Sequence, residues 1–560
     1  MEEKDDWHFI GLHIQTKTPQ EANHFCRQER PSKMYATLYA ITAWIITTHF
    51  LTVLFVFCIL NHYLKPRSKR RDTKPIKTKI QEPEKVIFVK ADHNGHFANS
   101  KPLRNNNSST SRPTSATPLY NHSETESIEN IAIGQTDDNG AELRILENPF
   151  EMVTEPTYKL VPDLNYYFQQ YGLTIDSYRL STEDGFIIDL WHIVNPHATN
   201  IRDPSSRPVL FLHGLLQSSG SFASSGTKSL AYYLTVHGGK DCWLGNNRCG
   251  FVPGWEDLSI NSMGEPENKK KTKKERWAWD ILDMAKYDLP CLVDFVLKET
   301  NSTNLDLIAH SQGTMQSFYS LTNHRELLGK IKNFVALSPA VYPGALLYEK
   351  IPLRLMAFLI DNKWIFGKTV FIPLMMQMRK LMGTQSSYCK LAYLMFNYLF
   401  DWGDSLWDRH LRDRHFLFSP VYISVRLMQW WLSSKRPSFR NGQFDKTYFP
   451  EHKVWYPTDF HNQDQSGSSS STATFQEETV KHGRNTHIHS PSDQHLYPNF
   501  LIFAPRLDRL VDGVRLVNHF TKYEDPALYK IWYIEHYSHL DVLWADDVLE
   551  KIGKPILDHL

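Results

Sequence analysis

At 560 residues the chain is long enough for three or four domains of ~150 residues each. Lys and Arg total 62 against 61 Asp and Glu, and the resulting net charge of +1 excludes a strongly basic nucleic-acid binder. Six cysteines exclude a disulfide-stapled scaffold, no Cys-x-x-Cys pair offers a zinc site, and 41% hydrophobic residues exclude a wholly disordered chain.

After an N-terminal tail, 1–34, the stretch 35–60 runs for 26 residues without Asp, Glu, Lys or Arg. As a helix at ~1.5 Å per residue it is about 39 Å long, enough for a ~30 Å hydrocarbon core. A secretory signal would start nearer the N-terminus and be shorter. A buried core helix would carry charge on one face. The stretch therefore predicts a transmembrane or membrane-embedded anchor, although five threonines and His49 dilute its hydropathy. Eight basic residues in 61–80 against four in 15–34 place the C-terminal side in the cytosol. A hairpin in one leaflet or in a lipid-droplet monolayer would leave it there too. The sequons at Asn106, Asn107, Asn121 and Asn301 matter only with the opposite topology.

The basic juxtamembrane segment, 61–90, leads into a polar spacer, 91–145, that reads as disordered, as does a serine-rich insertion at 461–495. Between and around them, 150–560 reads as one folded domain. Tyr178–Leu180 and Phe186–Ile193 form a hairpin about Glu183-Asp184-Gly185. Six short apolar runs come next: Val209–Leu212, Cys242–Leu244, Leu305–Ile308, Phe334–Leu337, Phe500–Phe503 and Ile531–Ile534. Separated by helical patterns, they predict an α/β fold with a mostly parallel sheet covered on both faces. In such sheets the working residues lie just beyond the C-terminal strand ends.

After Leu305–Ile308 comes Ala309-His310-Ser311-Gln312-Gly313, a serine between small residues that fits a tight strand-to-helix turn. Alone the pattern is weak, with roughly 0.4 chance occurrences in this length, and an ordinary helix-capping serine has similar neighbours. Partners give it weight. Asp508 and Asp512 follow Phe500–Phe503, and His536 and His539 follow Ile531–Ile534. An attacking serine needs a base, and the histidine needs a carboxylate to fix its tautomer. His213-Gly214-Leu215-Leu216, after Val209–Leu212, offers a backbone N–H to an oxyanion, and the N–H of Gln312 is the second donor.

The motifs FLHGLLQSS, DCWLGNNRCGF, WAWDILDMAKYDLP, LIAHSQGT, LSPAVYP and YSHLDVLW, in that order, resemble the acid lipase family of α/β-hydrolases over roughly 155–560. The membrane segment and long spacer are most similar to the family's fungal steryl ester hydrolases. The resemblance implies an α/β-hydrolase fold with a helical cap, nucleophile Ser311, base His539, acid Asp508, and oxyanion donors Leu215 and Gln312. Two departures stand out. Ala309 replaces the usual glycine, and Pro505-Arg506-Leu507 replaces a glycine-rich turn before the acid, which keeps Asp512 open as the acid; His536 is the alternative base.

The cap would be 345–435, which holds seven of the 13 methionines together with Trp402, Trp407, Trp430 and Trp431. Methionine suits surfaces that accept varied apolar partners. The lysine run 269–274 reads as a solvated loop. The expected activity is hydrolysis of neutral lipid esters, steryl esters first, with no cofactor and no metal. A triacylglycerol lipase and a catalytically silent lipid-binding tether are the alternatives. The expected partners are the ester and a membrane or lipid-droplet surface, at the endoplasmic reticulum or plasma membrane, with no nucleic acid and no obligate protein partner.

Overall fold

The computed structural model describes residues 41–42, 45–46, 48–49, 52–60, 79–90, 159–196, 206–256, 259–260, 266–267, 275–382, 386–458 and 496–560. The tail 1–34, the spacer 91–145, the insertion 461–495 and the lysine run 269–274 lie outside them.

A ten-stranded sheet organises the molecule. Its main strands are β1 (Val86–Val89), β2 (Thr174–Ser181), β3 (Phe186–Val194), β4 (Val209–Leu212), β5 (Cys242–Gly245), β6 (Leu305–His310), β7 (Ile331–Leu337), β8 (Asn499–Pro505) and β9 (Tyr529–Ile534), in the order β1-β9-β8-β7-β6-β4-β5-β3-β2. Every neighbouring pair is parallel except β2–β3 and β3–β5, which are antiparallel. Every residue of β4, β5 and β6 is buried, which is why these strands read as unbroken apolar runs. The edge strand β2 is largely open to solvent, with Asp176, Ser177 and Arg179 exposed along it. Helices α1 (Leu230–Val236), α2 (Leu289–Thr300) and α3 (Gln312–Asn323) belong to the crossovers of the parallel strands.

One strand falls inside the segment expected to be only basic and juxtamembrane. Val86-Ile-Phe-Val89 joins the sheet edge as β1, parallel to β9 in the register Val86↔Ile531 to Val89↔Ile534. Four apolar residues among charged ones give too short a signal to read, yet they complete an edge that β9 would otherwise expose. Gln81 N–H donates to Asn518 Oδ1 at 2.8 Å and Asn518 Nδ2 to the Lys79 carbonyl at 2.9 Å, tying the approach to the sheet.

A helical region, where the cap is expected, lies between β7 and β8. Its main helices are α4 (Ile351–Leu359), α5 (Pro373–Met382), α6 (Ser386–Phe400) and α7 (Val425–Leu432), and a further helix, α8 (Gly513–Tyr523), follows β8. The expected anchor, 35–60, lies partly outside the described residues. Those described from 41 to 60 are helical, and no helix among the described residues is long and apolar enough to cross a membrane. Within this stretch polar side chains bond back one turn, Thr52 Oγ1 to the Thr48 carbonyl and His49 Nδ1–H to that of Ile45.

Candidate active site

β6 ends at His310, and α3 begins one residue after Ser311, which sits at φ 52° and ψ −114°. That strained turn presents the hydroxyl away from the sheet. Gly313 makes the turn possible: a Cβ there would lie 2.6 Å from the Leu212 carbonyl oxygen and 2.9 Å from that of His213, both backbone atoms that cannot swing aside. Ala309 carries its methyl without exposure, in register with Leu212 and Ala336, so the departure from glycine is accommodated. Gly313→Ala is expected to cost about 1–3 kcal/mol of stability by overpacking and to lower kcat/KM by displacing the loop after β4. Gly250→Ala, where a Cβ meets nothing within 4 Å, should be neutral. Thermal unfolding with ester kinetics on both variants checks the contrast.

Three side chains from three strand ends converge. Ser311 Oγ–H donates to His539 Nε2 at 2.8 Å, and His539 Nδ1–H donates to Asp508 Oδ2 at 2.5 Å. Their exposures are 5%, 1% and 1% for Ser311, His539 and Asp508. Asp508 is oriented further by the N–H groups of Leu510 and Val511, which donate to Oδ1 at 3.0 and 3.3 Å. Its turn needs no glycine because neither Arg506 nor Leu507 takes a positive φ. Asp512 instead caps α8, accepting the Arg515 N–H at 3.1 Å, and His536 is exposed.

The two expected oxyanion donors flank this point. A Cβ on Gly214 would come within 3.1 Å of Ser311 Cβ, so the His213–Leu216 loop lies directly against the serine. Leu215 lines the cavity in front of Ser311. The N–H of Gln312, first residue of α3, belongs to the turn whose donors have no partner inside the helix, and the Leu215 N–H meets no backbone acceptor among the described residues.

Four residues that the sequence did not single out for these tasks complete the site. Ser338, just after β7, donates its hydroxyl to the His539 carbonyl at 2.9 Å, and His310 Nε2 lies 3.2 Å from the same oxygen. Trp402 of the cap stacks on the His539 ring at 5.3 Å and 7°. His310 Nδ1 faces the Gln217 amide at 2.9 Å. A neutral His310 has one N–H, and Nδ1–H gives it to Gln217 Oε1, the shorter of its two contacts. The hint for His310 was its place beside Ser311. Nothing local marked Gln217, Ser338 or Trp402 for their roles.

His213 shows the same economy. Nδ1–H donates to the Gly214 carbonyl at 2.8 Å, and Nε2 accepts the Asn247 N–H at 3.1 Å, so the neutral ring is fully used in holding the loop. Burial pushes its pKa down to about 4, and burial also holds His310 and His415 well below the ordinary histidine value. A depressed histidine pKa means that the unfolded chain binds protons first. Stability is then full above about pH 6.5 and falls as the pH drops towards 4, on the order of 3 kcal/mol for His213 alone. Urea unfolding at pH 7.5 and at pH 5 should give a clearly lower midpoint at pH 5. Equal midpoints would contradict this assignment.

An apolar cavity of about 1090 Å³, open mouth included, stands over Ser311 and His539. Four of the seven cap methionines line it, Met356, Met375, Met395 and Met428, as do Trp402 and Trp431. Trp407 serves elsewhere, donating to Asp541 Oδ1 at 2.7 Å, and Trp430 packs on Trp431, Phe439 and Phe444. Trp431 also reaches back to the turn after Ser311, its Nε1–H donating to Gln312 Oε1 at 2.9 Å.

Two family models match the chain, a partial alpha/beta-hydrolase lipase region over residues 164–226 and the alpha/beta hydrolase fold over 207–360. Sterol esterase 2 of Saccharomyces cerevisiae is 42% identical, over 94% of this chain and 98% of its own. The chain belongs to the acid lipase family of α/β-hydrolases. Acid lipase relatives also include the human lysosomal acid lipase/cholesteryl ester hydrolase, 29% identical over 51% of this chain and 71% of its own. Human gastric triacylglycerol lipase is 33% identical over 36% and 48%. The alpha/beta hydrolase fold accounts for the mostly parallel sheet, and the chain is a carboxylic ester hydrolase.

Proposed function

We propose that this enzyme is a membrane-held steryl ester hydrolase working through an acyl-enzyme on Ser311. The observation that carries the reading is a hydrogen-bonded Ser311–His539–Asp508 chain beneath an almost wholly apolar cavity. Such a cavity suits a neutral ester with two greasy arms. The similarity to a sterol esterase favours a sterol as the alcohol.

In the first step Ser311 Oγ attacks the ester carbonyl carbon while His539 Nε2 takes its proton. Asp508 holds Nδ1–H and stabilises the imidazolium. The oxyanion accepts from the N–H groups of Leu215 and Gln312. Collapse breaks the carbon–oxygen bond to the sterol, which leaves with the proton from His539. A water then gives its proton to His539 and attacks the acyl-serine; collapse breaks the bond to Ser311 Oγ, which takes the proton back from His539 as the fatty acid leaves. The apolar stretch 35–60 holds the enzyme at a membrane or lipid-droplet surface with its catalytic part on the cytosolic side.

The test is turnover of a steryl oleate and of triolein, side by side, by the full-length enzyme in the same phospholipid vesicles. Preference for the steryl ester supports the reading, and preference for triolein makes the enzyme a triacylglycerol lipase. Failure of a fluorophosphonate to label Ser311 would reduce it to a lipid-binding tether.

A further inference from the structure

The described helical residues 52–60 do not stand apart from the catalytic part. Leu54 is 6% exposed and lines the cavity that holds Ser311 and His539. Cys58, one helical turn further, is fully buried. Phe55 is half-buried and faces a second, smaller cavity with Met378, Tyr388, Met395 and Pro420 of the cap. Positions 54, 55 and 58 share one face of a helix, so one side of this segment is packed into the cap.

The other side is as apolar and uncovered. Val53, Val56, Phe57, Ile59 and Leu60 are all exposed. On α4 the exposed Ile351, Leu355 and Phe358 follow the spacing of a single helix face. A segment without one charge, apolar on its packed side and on its open side, has lipid as its fitting surroundings.

We infer that this segment is more than an anchor: it forms one wall of the ester pocket, and Leu54 sets how large an apolar group is accepted beside Ser311. The inference rests on the proposed hydrolysis of neutral lipid esters and adds a determinant of their selection. A tether that acted by local concentration alone would place no side chain in the cavity.

The experiment uses the full-length enzyme in phosphatidylcholine vesicles carrying steryl oleate, with a short-chain nitrophenyl ester as the small substrate. Leu54→Trp fills the cavity and should lower the ratio of steryl oleate to nitrophenyl ester turnover by about tenfold or more, a usual penalty for a misfitting apolar pocket. Phe57→Trp, on the open side, should leave that ratio unchanged. Fluorophosphonate labelling reports whether each variant is folded. Should Leu54→Trp fail to label, Leu54→Ala decides, since it cannot clash: a several-fold shift in the ratio supports the wall and an unchanged ratio overturns it. An equal ratio for Leu54→Trp and Phe57→Trp overturns it as well, as does full recovery of steryl oleate turnover when 41–60 is exchanged for an unrelated apolar helix. If the unmodified enzyme hydrolyses triolein rather than steryl oleate, the choice of ester is wrong. The same Leu54 ratios measured with triolein then test the wall independently.

Discussion

Ser311→Ala is expected to lower ester turnover on the order of 10⁶-fold, because in a serine hydrolase the nucleophile and its base fail together once either is missing. The remaining rate would come from the cavity and the N–H donors alone. Folding should survive, since the hydroxyl makes its bond to His539 and the turn is set by backbone and by Gly313. Stopped assays with a short nitrophenyl ester, read beside thermal unfolding, check both halves. Residual turnover within tenfold of the unmodified enzyme would remove Ser311 from the mechanism.

The second large effect separates the two candidate acids. Asp508→Asn keeps the shape of the side chain but offers an amide where His539 Nδ1–H needs an acceptor, and a comparable change in a serine protease costs ~10⁴ in kcat. Asp512→Asn should leave kcat unchanged, because its carboxylate caps α8 and an asparagine caps nearly as well. The reverse ranking would move the acid to Asp512.

Much of this arrangement was legible because parallel strands buried on both faces betray themselves as short apolar runs. Each such run, from Val209–Leu212 to Ile531–Ile534, became a strand, with ends shifted by up to three residues. The residues just past the ends of those runs could be read in chain order, which brought Ser311, Asp508 and His539 forward. The residues that steady them could not be read. His310 meets Gln217 across 93 positions, Ser338 meets His539 across 201, and His310 meets the His539 carbonyl across 229. Such partners are set by tertiary packing, and no local periodicity carries them. β1 was missed for a different reason: four residues are too few to show alternation, and its pairing with β9 spans most of the chain. The methionine-rich stretch was legible as a greasy lining only in part, since Met376, Met378 and Met382 do not line the main cavity.

The central claim is that Ser311 acts on steryl esters in the cell's own lipids. It is tested most directly by quantitative lipid profiling of cells carrying Ser311→Ala as their only copy, beside cells with the unmodified enzyme. Steryl esters should accumulate in the variant, with free sterol reduced and triacylglycerol unchanged. Accumulation of triacylglycerol with steady steryl esters, or no change in either, would contradict it.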